Sequence, residues 1–276
     1  YGDSPDLTGP YSDRPANNLA IQAMSGWMEI TGDPDGPPQS VGDNIGDSIP
    51  GVWSALGIVL ALETRRKTGL GQHVDMAMYE CMVSHVESNM NTYQATGSNP
   101  ARSRDRNATA GITFRAKDGY CVLAGVRTEA RLRDLWTLIG REDLLEGDAR
   151  YLAGPGMDGQ FYTEHIIPAI EGWSVNLNKF QVAATLTEIG FSMGVTQTVA
   201  DLVNCPQLEA RNMFVDTGDT LGGTFRGVRS PTRLTACIDS PAETAPTLGE
   251  HNAEVLCTLG GMTAEEVSLL EAEGAL

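Results

Sequence analysis

Basic residues are scarce in this chain. Its 276 residues carry 19 Lys and Arg against 36 Asp and Glu, a formal net charge of −17. Nucleic-acid backbones and anionic membrane surfaces both call for a basic face, so the balance argues against either partner. It leaves room for a small anionic ligand, which needs only a few local amides and Arg side chains. Cysteines are few and unpatterned. The five of them (Cys81, Cys121, Cys205, Cys237, Cys257) are odd in number and never in CxxC spacing. That reads as free thiols in a reducing cytoplasm, not as a disulfide framework or a zinc site. The four His (His73, His85, His165, His251) form no HxxxH pair, so no metal site is expected. The longest apolar stretch, residues 52–62, falls short of the roughly 20 residues of a membrane-crossing helix, so no membrane partner is expected. Residues 1–20 lack the cationic start and apolar block of a signal peptide. There is no internal repeat and no low-complexity tract.

What is present is globular. Apolar residues make up 41% of the chain, too many for a disordered segment. At about 150 residues per domain the length allows one or two domains. The chain opens on Tyr1 rather than Met, and its first forty residues are loop-like and rich in Pro, Gly and Asp. A domain rarely starts with so long a structureless arm, so an upstream portion is expected.

The clearest helix is expected over residues 50–68. Val52, Trp53, Leu56, Ile58, Val59, Leu60 and Leu62 wrap most of its circumference, which predicts deep burial. Arg65, Arg66 and Lys67 sit in its last turn and Gly69 follows as the C′ residue. Residues 72–77 alternate like a short strand, and a second helix is expected from Met78 to about Tyr93, stopping at Gly97. Helix, strand and helix with short links is α/β grammar. Residues 98–110 are polar and read as a linker. Beyond them, residues 112–114 and 120–124 around Asp118-Gly119 predict a hairpin. Helices are expected near 129–139, 164–171, 179–189 and 198–203, then a second hairpin at Gly222-Gly223. Thr263 and Glu266 form a capping box for the last helix.

One turn invites chemistry. Residues 45–51 place Asp47 at the mouth of the long helix, where the positive end of the dipole favours an ionised carboxylate and amides can meet an oxyanion. A carboxylate held there can act as a nucleophile. Local pattern alone favours the simpler reading, that Asp47 or Ser48 caps the helix. Other candidates weigh less. Gly69-Leu70-Gly71 follows a helix instead of opening one and reads as a cap and turn. Arg102, Arg104 and Arg106 form a cationic cluster, which holds a phosphate or simply solvates the linker. Glu250-His251 offers an acid–base pair or a cap at a helix entrance. Asn107-Ala108-Thr109 matches a glycosylation acceptor, without meaning in a chain that shows no secretory signal.

Four stretches in order carry a resemblance. They are residues 8–15; Gln22-Ala23-Met24-Ser25-Gly26 with residues 31–38; Gly46-Asp47-Ser48 running into the helix that ends at residues 66–72; and Leu248-Gly249-Glu250-His251 followed by Glu254-Val255-Leu256. Together they resemble the class III CoA-transferases, also called the CaiB/BaiF family. The family includes formyl-CoA and carnitine CoA-transferases and α-methylacyl-CoA racemase. The resemblance implies that Asp47 is a nucleophile working through aspartyl anhydride and aspartyl-CoA thioester intermediates. Acyl-CoA and a free carboxylic acid are then the substrates, with no permanently bound cofactor.

The resemblance also implies that Pro15, Ala16, Asn17 and Asn18 contact CoA or substrate. Formyl-type members carry an acid at the position of Asn18, and racemases a catalytic His at that of Asn17. An amide cannot shuttle an α-proton, so a racemase or isomerase is the weaker reading. A non-catalytic CoA-binding or scaffolding homologue is a further alternative. Oxalate-type members have a glycine run where residues 105–111 keep only Gly111. The implied fold is α/β: a partial Rossmann-like large domain (1–97, returning at 226–276), a linker (98–110) and an inserted small α+β domain (111–225). The first strands of the large domain lie upstream of this chain in the family, where a missing N-terminal segment is supplied by the same or another chain. An interlocked homodimer is implied.

Overall fold

Gly111–Ala116 (β3) and Gly119–Ala124 (β4) alternate apolar and polar side chains, and in the computed structural model they pair antiparallel across Lys117-Asp118. The structure describes residues 1–4, 7–100, 102, 111–125, 128–153, 159–220, 223–236 and 245–276. Most of the expected linker (101 and 103–110, with Arg104, Arg106 and Asn107-Ala108-Thr109), Gly222 and Cys237 lie outside the described residues. The described residues form two compact units, Tyr1–Thr196 and Gln197–Leu276.

In the first unit the hairpin gains a third strand, β5 (Ser192–Val195), antiparallel to β4. Register puts Phe114 opposite Cys121 and Ile112 opposite Leu123, so the buried side chains share one face. Three helices cover that face. Glu129–Leu138 (α5) buries Leu132, Leu135 and Trp136, the i, i+3, i+4 stripe of an amphipathic helix. A π-helical turn, Tyr162–Ile166, leads into Ile167–Ser174 (α6), and Lys179–Glu188 (α7) follows with an Asn178–Gln181 capping box. Trp136 fills the middle of this core, fully buried, its indole N–H donating to the Tyr151 carbonyl at 2.9 Å.

Residues 1–100 are mostly helical. A two-residue pairing, β1 (Asp3–Ser4) with β2 (Leu7–Thr8), precedes α1 (Asn18–Met24). Helix α2 (Ile45–Thr68), α3 (Met78–Ser84) and α4 (Glu87–Thr96) follow. Four expectations change here. Helix α2 starts five residues before position 50, because the Gly46 N–H finds an acceptor in the Asn18 side chain. Its apolar residues are not buried: Val52 is 72% and Val59 61% exposed, since α1 and α3 cover only one flank. Residues 72–77 form no regular element and pair with no strand among the described residues; the Val74 side chain instead lies close against Gly57 of α2. The helix expected over 78–93 is broken at His85-Val86, and Val86, like Met82 before the break, is buried.

The 24 residues of α2 are also long and apolar enough to cross a membrane by length and composition alone, which corrects the count over the uninterrupted run 52–62. All ladders among the described residues are antiparallel.

The second unit holds two short helices, Val199–Val203 (α8) and Pro206–Ala210 (α9), and a hairpin of Phe214–Thr220 (β6) and Gly223–Val228 (β7). Asn252–Thr258 (α10) and Ala264–Ala272 (α11) complete it. Thr263 and Glu266 cap α11 reciprocally, as their spacing predicts.

Candidate active site

The start of α2 is assembled by side-chain amides of α1. Asn18 and Gln22 stand four residues apart, so both project from the same face of that helix. The Asn18 Oδ1 accepts from the Gly46 N–H at 2.9 Å and from the Gln22 Nε2 at 2.9 Å. Its Nδ2 donates to the Asn44 Oδ1 at 3.2 Å. The fit is close enough to dictate residue 46. A Cβ there would lie 2.8 Å from the Asn18 carbonyl oxygen and 2.9 Å from its Oδ1, so only glycine is accommodated.

Asp47 follows directly, as the third residue of α2 and exposed. Among the described residues its carboxylate accepts no hydrogen bond and pairs with no cation, and the capping role suggested by local pattern is not filled by Asp47. Nor does Ser48 cap: its hydroxyl donates backwards to the Asn44 carbonyl at 3.0 Å. The N–H groups of the first turn are occupied, contrary to the expected open amides. Ile45 donates to Asp43, Gly46 to Asn18, and both Asp47 and Ser48 to the Asn44 carbonyl. The helix therefore offers Asp47 its dipole, but no spare donor from residues 45–48. Pro50, buried, lacks the N–H that would reach the Gly46 carbonyl.

Of the expected contact residues, Asn18 sits against the Gly46-Asp47 turn. Asn17 is the N-cap of α1, its Oδ1 accepting from the Ala20 N–H at 3.0 Å. Pro15 and Ala16 are exposed on the segment entering α1. Arg102 does not stand ready for an anion. Its guanidinium donates to the carbonyls of Asp33, Glu29 and Gly36 and so staples the 29–36 turn. Glu250 accepts from the Thr247 N–H and hydroxyl, which hold its carboxyl below the usual range. It closes a turn instead of serving His251. Among the described residues no cluster of three His, Cys, Asp or Glu could hold a metal ion.

Two features escaped the sequence reading. Gln22 belongs to the Gln22-Ala23-Met24-Ser25-Gly26 motif, yet its spacing from Asn18 is the only hint of its structural work. The second is a cavity of about 630 Å³ at the far end of α1, lined by Met24, Ile30, Tyr79, Val83 and Tyr93 among others. Met24 lies six residues beyond Asn18, roughly 9 Å along the helix axis.

CoA-transferase family III matches residues 1–252. Succinyl-CoA–D-citramalate CoA-transferase of Chloroflexus aurantiacus is 30% identical over 270 residues, which are 96% of this chain and 66% of that protein. Succinyl-CoA:mesaconate CoA-transferase of Haloarcula hispanica is 34% identical over 254 residues, 90% of this chain and 61% of that protein. The crystal structure of a CaiB/BaiF family protein from Brucella suis superposes with a TM-score of 0.77 at 30% identity, covering 91% of this chain and 65% of the other. The chain thus spans about two thirds of the length of the relatives it matches. Matched from its first residue to residue 252, the chain belongs to CoA-transferase family III.

Proposed function

We propose that the protein transfers CoA from an acyl-CoA thioester to a free carboxylic acid, with Asp47 as the nucleophile. The observation that carries this reading is an exposed carboxylate, unpartnered among the described residues, on the first turn of a long helix, beside a glycine that admits no side chain. In the first step an Asp47 oxygen attacks the thioester carbonyl and the C–S bond breaks. CoA leaves as a thiolate and an acyl-aspartyl anhydride remains. The thiolate then attacks the aspartyl carbonyl, releasing the donor acid and leaving an aspartyl-CoA thioester. The acceptor carboxylate repeats the two exchanges in reverse and restores the Asp47 carboxylate. No net proton or electron is exchanged, so an ionised nucleophile suffices.

Pro15, Ala16, Asn17 and Asn18 flank the substrate in this reading, supported by the position of Asn18 against Gly46. Racemisation is disfavoured because the Asn17 side chain is an amide already committed to its cap. Both relatives described above are named for succinyl-CoA and a five-carbon dicarboxylic acid, so we take succinyl-CoA as donor and a dicarboxylic acid as acceptor. A Rossmann-like large domain carrying an inserted small one, an interlocked homodimer, a further N-terminal segment and a cytoplasmic location belong to the same proposal. The free thiols of Cys81, Cys121, Cys205 and Cys257 support the location.

The test incubates the protein with labelled succinyl-CoA and a panel of dicarboxylic acids, beside Asp47→Ala. Transfer is expected to fall at least about 10³-fold in the variant, because the covalent route is removed. Hydroxylamine should trap an acyl adduct on Asp47 of the wild type. Undiminished transfer by Asp47→Ala overturns the assignment, and transfer-negative wild type without an adduct favours a CoA-binding homologue.

A further inference from the structure

We propose that Gln22 is the positioning residue of the Asp47 turn. The segment that enters α2, residues 41–44, has no helix or strand of its own. Its path must be set by side chains, and one fully buried amide sets most of it. The Gln22 Oε1 accepts from the Val41 N–H at 2.9 Å. Its Nε2 donates to the Asp43 carbonyl at 3.3 Å and to the Asn18 Oδ1 at 2.9 Å. Asn18 in turn holds Gly46 and Asn44. Four of the six residues before Asp47 therefore hang, directly or through Asn18, on a side chain that is 0% exposed.

Gln22 makes no contact with the reacting carboxylate; it acts through the backbone that presents it. Only a primary amide serves, because the site requires an acceptor for Val41 and two donors for Asp43 and Asn18. Leucine fills the volume but leaves the Val41 N–H and the Asp43 carbonyl without their side-chain partner. A carboxylate keeps the acceptor and loses both donors. Protonation returns one.

The kinetic arm of the test rests on the CoA-transfer reading; the exchange arm does not. Gln22→Leu and Gln22→Glu are compared with wild type for kcat, KM and melting temperature, and for hydrogen exchange at the Gly46 amide. In Gln22→Leu, kcat should fall about 10- to 100-fold with KM for the acyl-CoA within about threefold, the signature of a displaced nucleophile. Gly46 exchange should quicken at least about tenfold in that variant. In Gln22→Glu the deficit relative to wild type should shrink as pH falls from about 8 to about 6, since burial between two acceptors favours the protonated carboxyl. A purely structural role would lower the melting temperature without that pH-dependent recovery. Should Gln22→Leu not fold, Gln22→Glu decides alone. The proposal is overturned if kcat stays within twofold of wild type and Gly46 exchange is unchanged. If the wild type moves no CoA, the functional reading fails by itself and Gly46 exchange still decides the role of Gln22.

Discussion

Residues 111–196 close a core of their own, whereas residues 1–100 leave their longest helix bare. Sixteen hydrophobic residues between Ile112 and Phe191 are buried in one cluster. Among the described residues of the first hundred, the buried hydrophobic core comes down to Ile21, Ala77, Cys81, Met82 and Val86. In exchange, that region holds the candidate nucleophile and the buried amide Gln22. The difference separates two ways of fixing geometry. Apolar packing fixes the sheet and its three helices, while the Asp47 turn is fixed by directed, part-buried hydrogen bonds that converge on the fully buried Gln22 side chain.

The largest effect that sharpens this contrast is a core truncation. Phe114, 0% exposed on β3, should cost about 3–5 kcal/mol when changed to Ala, read from chemical denaturation. A loss near 1 kcal/mol would mean that the second region is no better packed than the first, since a closed core cannot collapse into so large a void.

How much was legible follows the same division. The hairpin around Asp118-Gly119, the helix near 129–139 and the Thr263–Glu266 box are local patterns, and each lies where its spacing predicts. Gly69 likewise ends α2 with φ 78°, in the left-handed conformation glycine permits. The start of α2 was not local. Gly, Asp and Pro at positions 46, 47 and 50 read as turn residues, and only an acceptor 28 positions upstream makes Gly46 helical. Strand β5 alternates over only four residues, Ser192–Val195, too short a run to be read from the sequence; pairing with β4 defines it. Apolar periodicity in α2 reported that a cover is wanted, not that these residues supply it. Asp47 itself needed the family resemblance, because a carboxylate near a helix start is ordinarily a cap.

A smaller effect compares the two regions through their thiols. Burial pushes the Cys121 thiol up to about 11, with Asp118 adding to the rise and Lys179 opposing it; burial also raises Cys81. Native protein treated with iodoacetamide near pH 8 should label Cys205 and Cys257 first, then Cys81, and Cys121 last, as followed by peptide mass spectrometry. The sign of the linked stability follows. Between the ordinary thiol value of 9.0 and about 11, unfolded chains release the Cys121 proton while the native state keeps it. Stability should therefore fall as pH rises through that window. Equal labelling of Cys81 and Cys121 would erase the distinction between a small core and a closed one.

The smallest effect is the most discriminating, because it tests the bare helix directly. Val59 is 61% exposed on α2, and Ser has a similar helix propensity, so Val59→Ser removes little that the chain itself uses. In dilute protein its unfolding free energy should stay within about 0.5 kcal/mol of wild type, the range of ordinary surface changes. The same substitution repeated over a hundredfold range of protein concentration asks whether a second copy covers the helix. A difference that grows with concentration means that association buries Val59, since anything that binds only the folded state adds stability by mass action. A large difference already present in dilute protein would instead place α2 inside a core formed by this chain, and the contrast between the two regions would be lost.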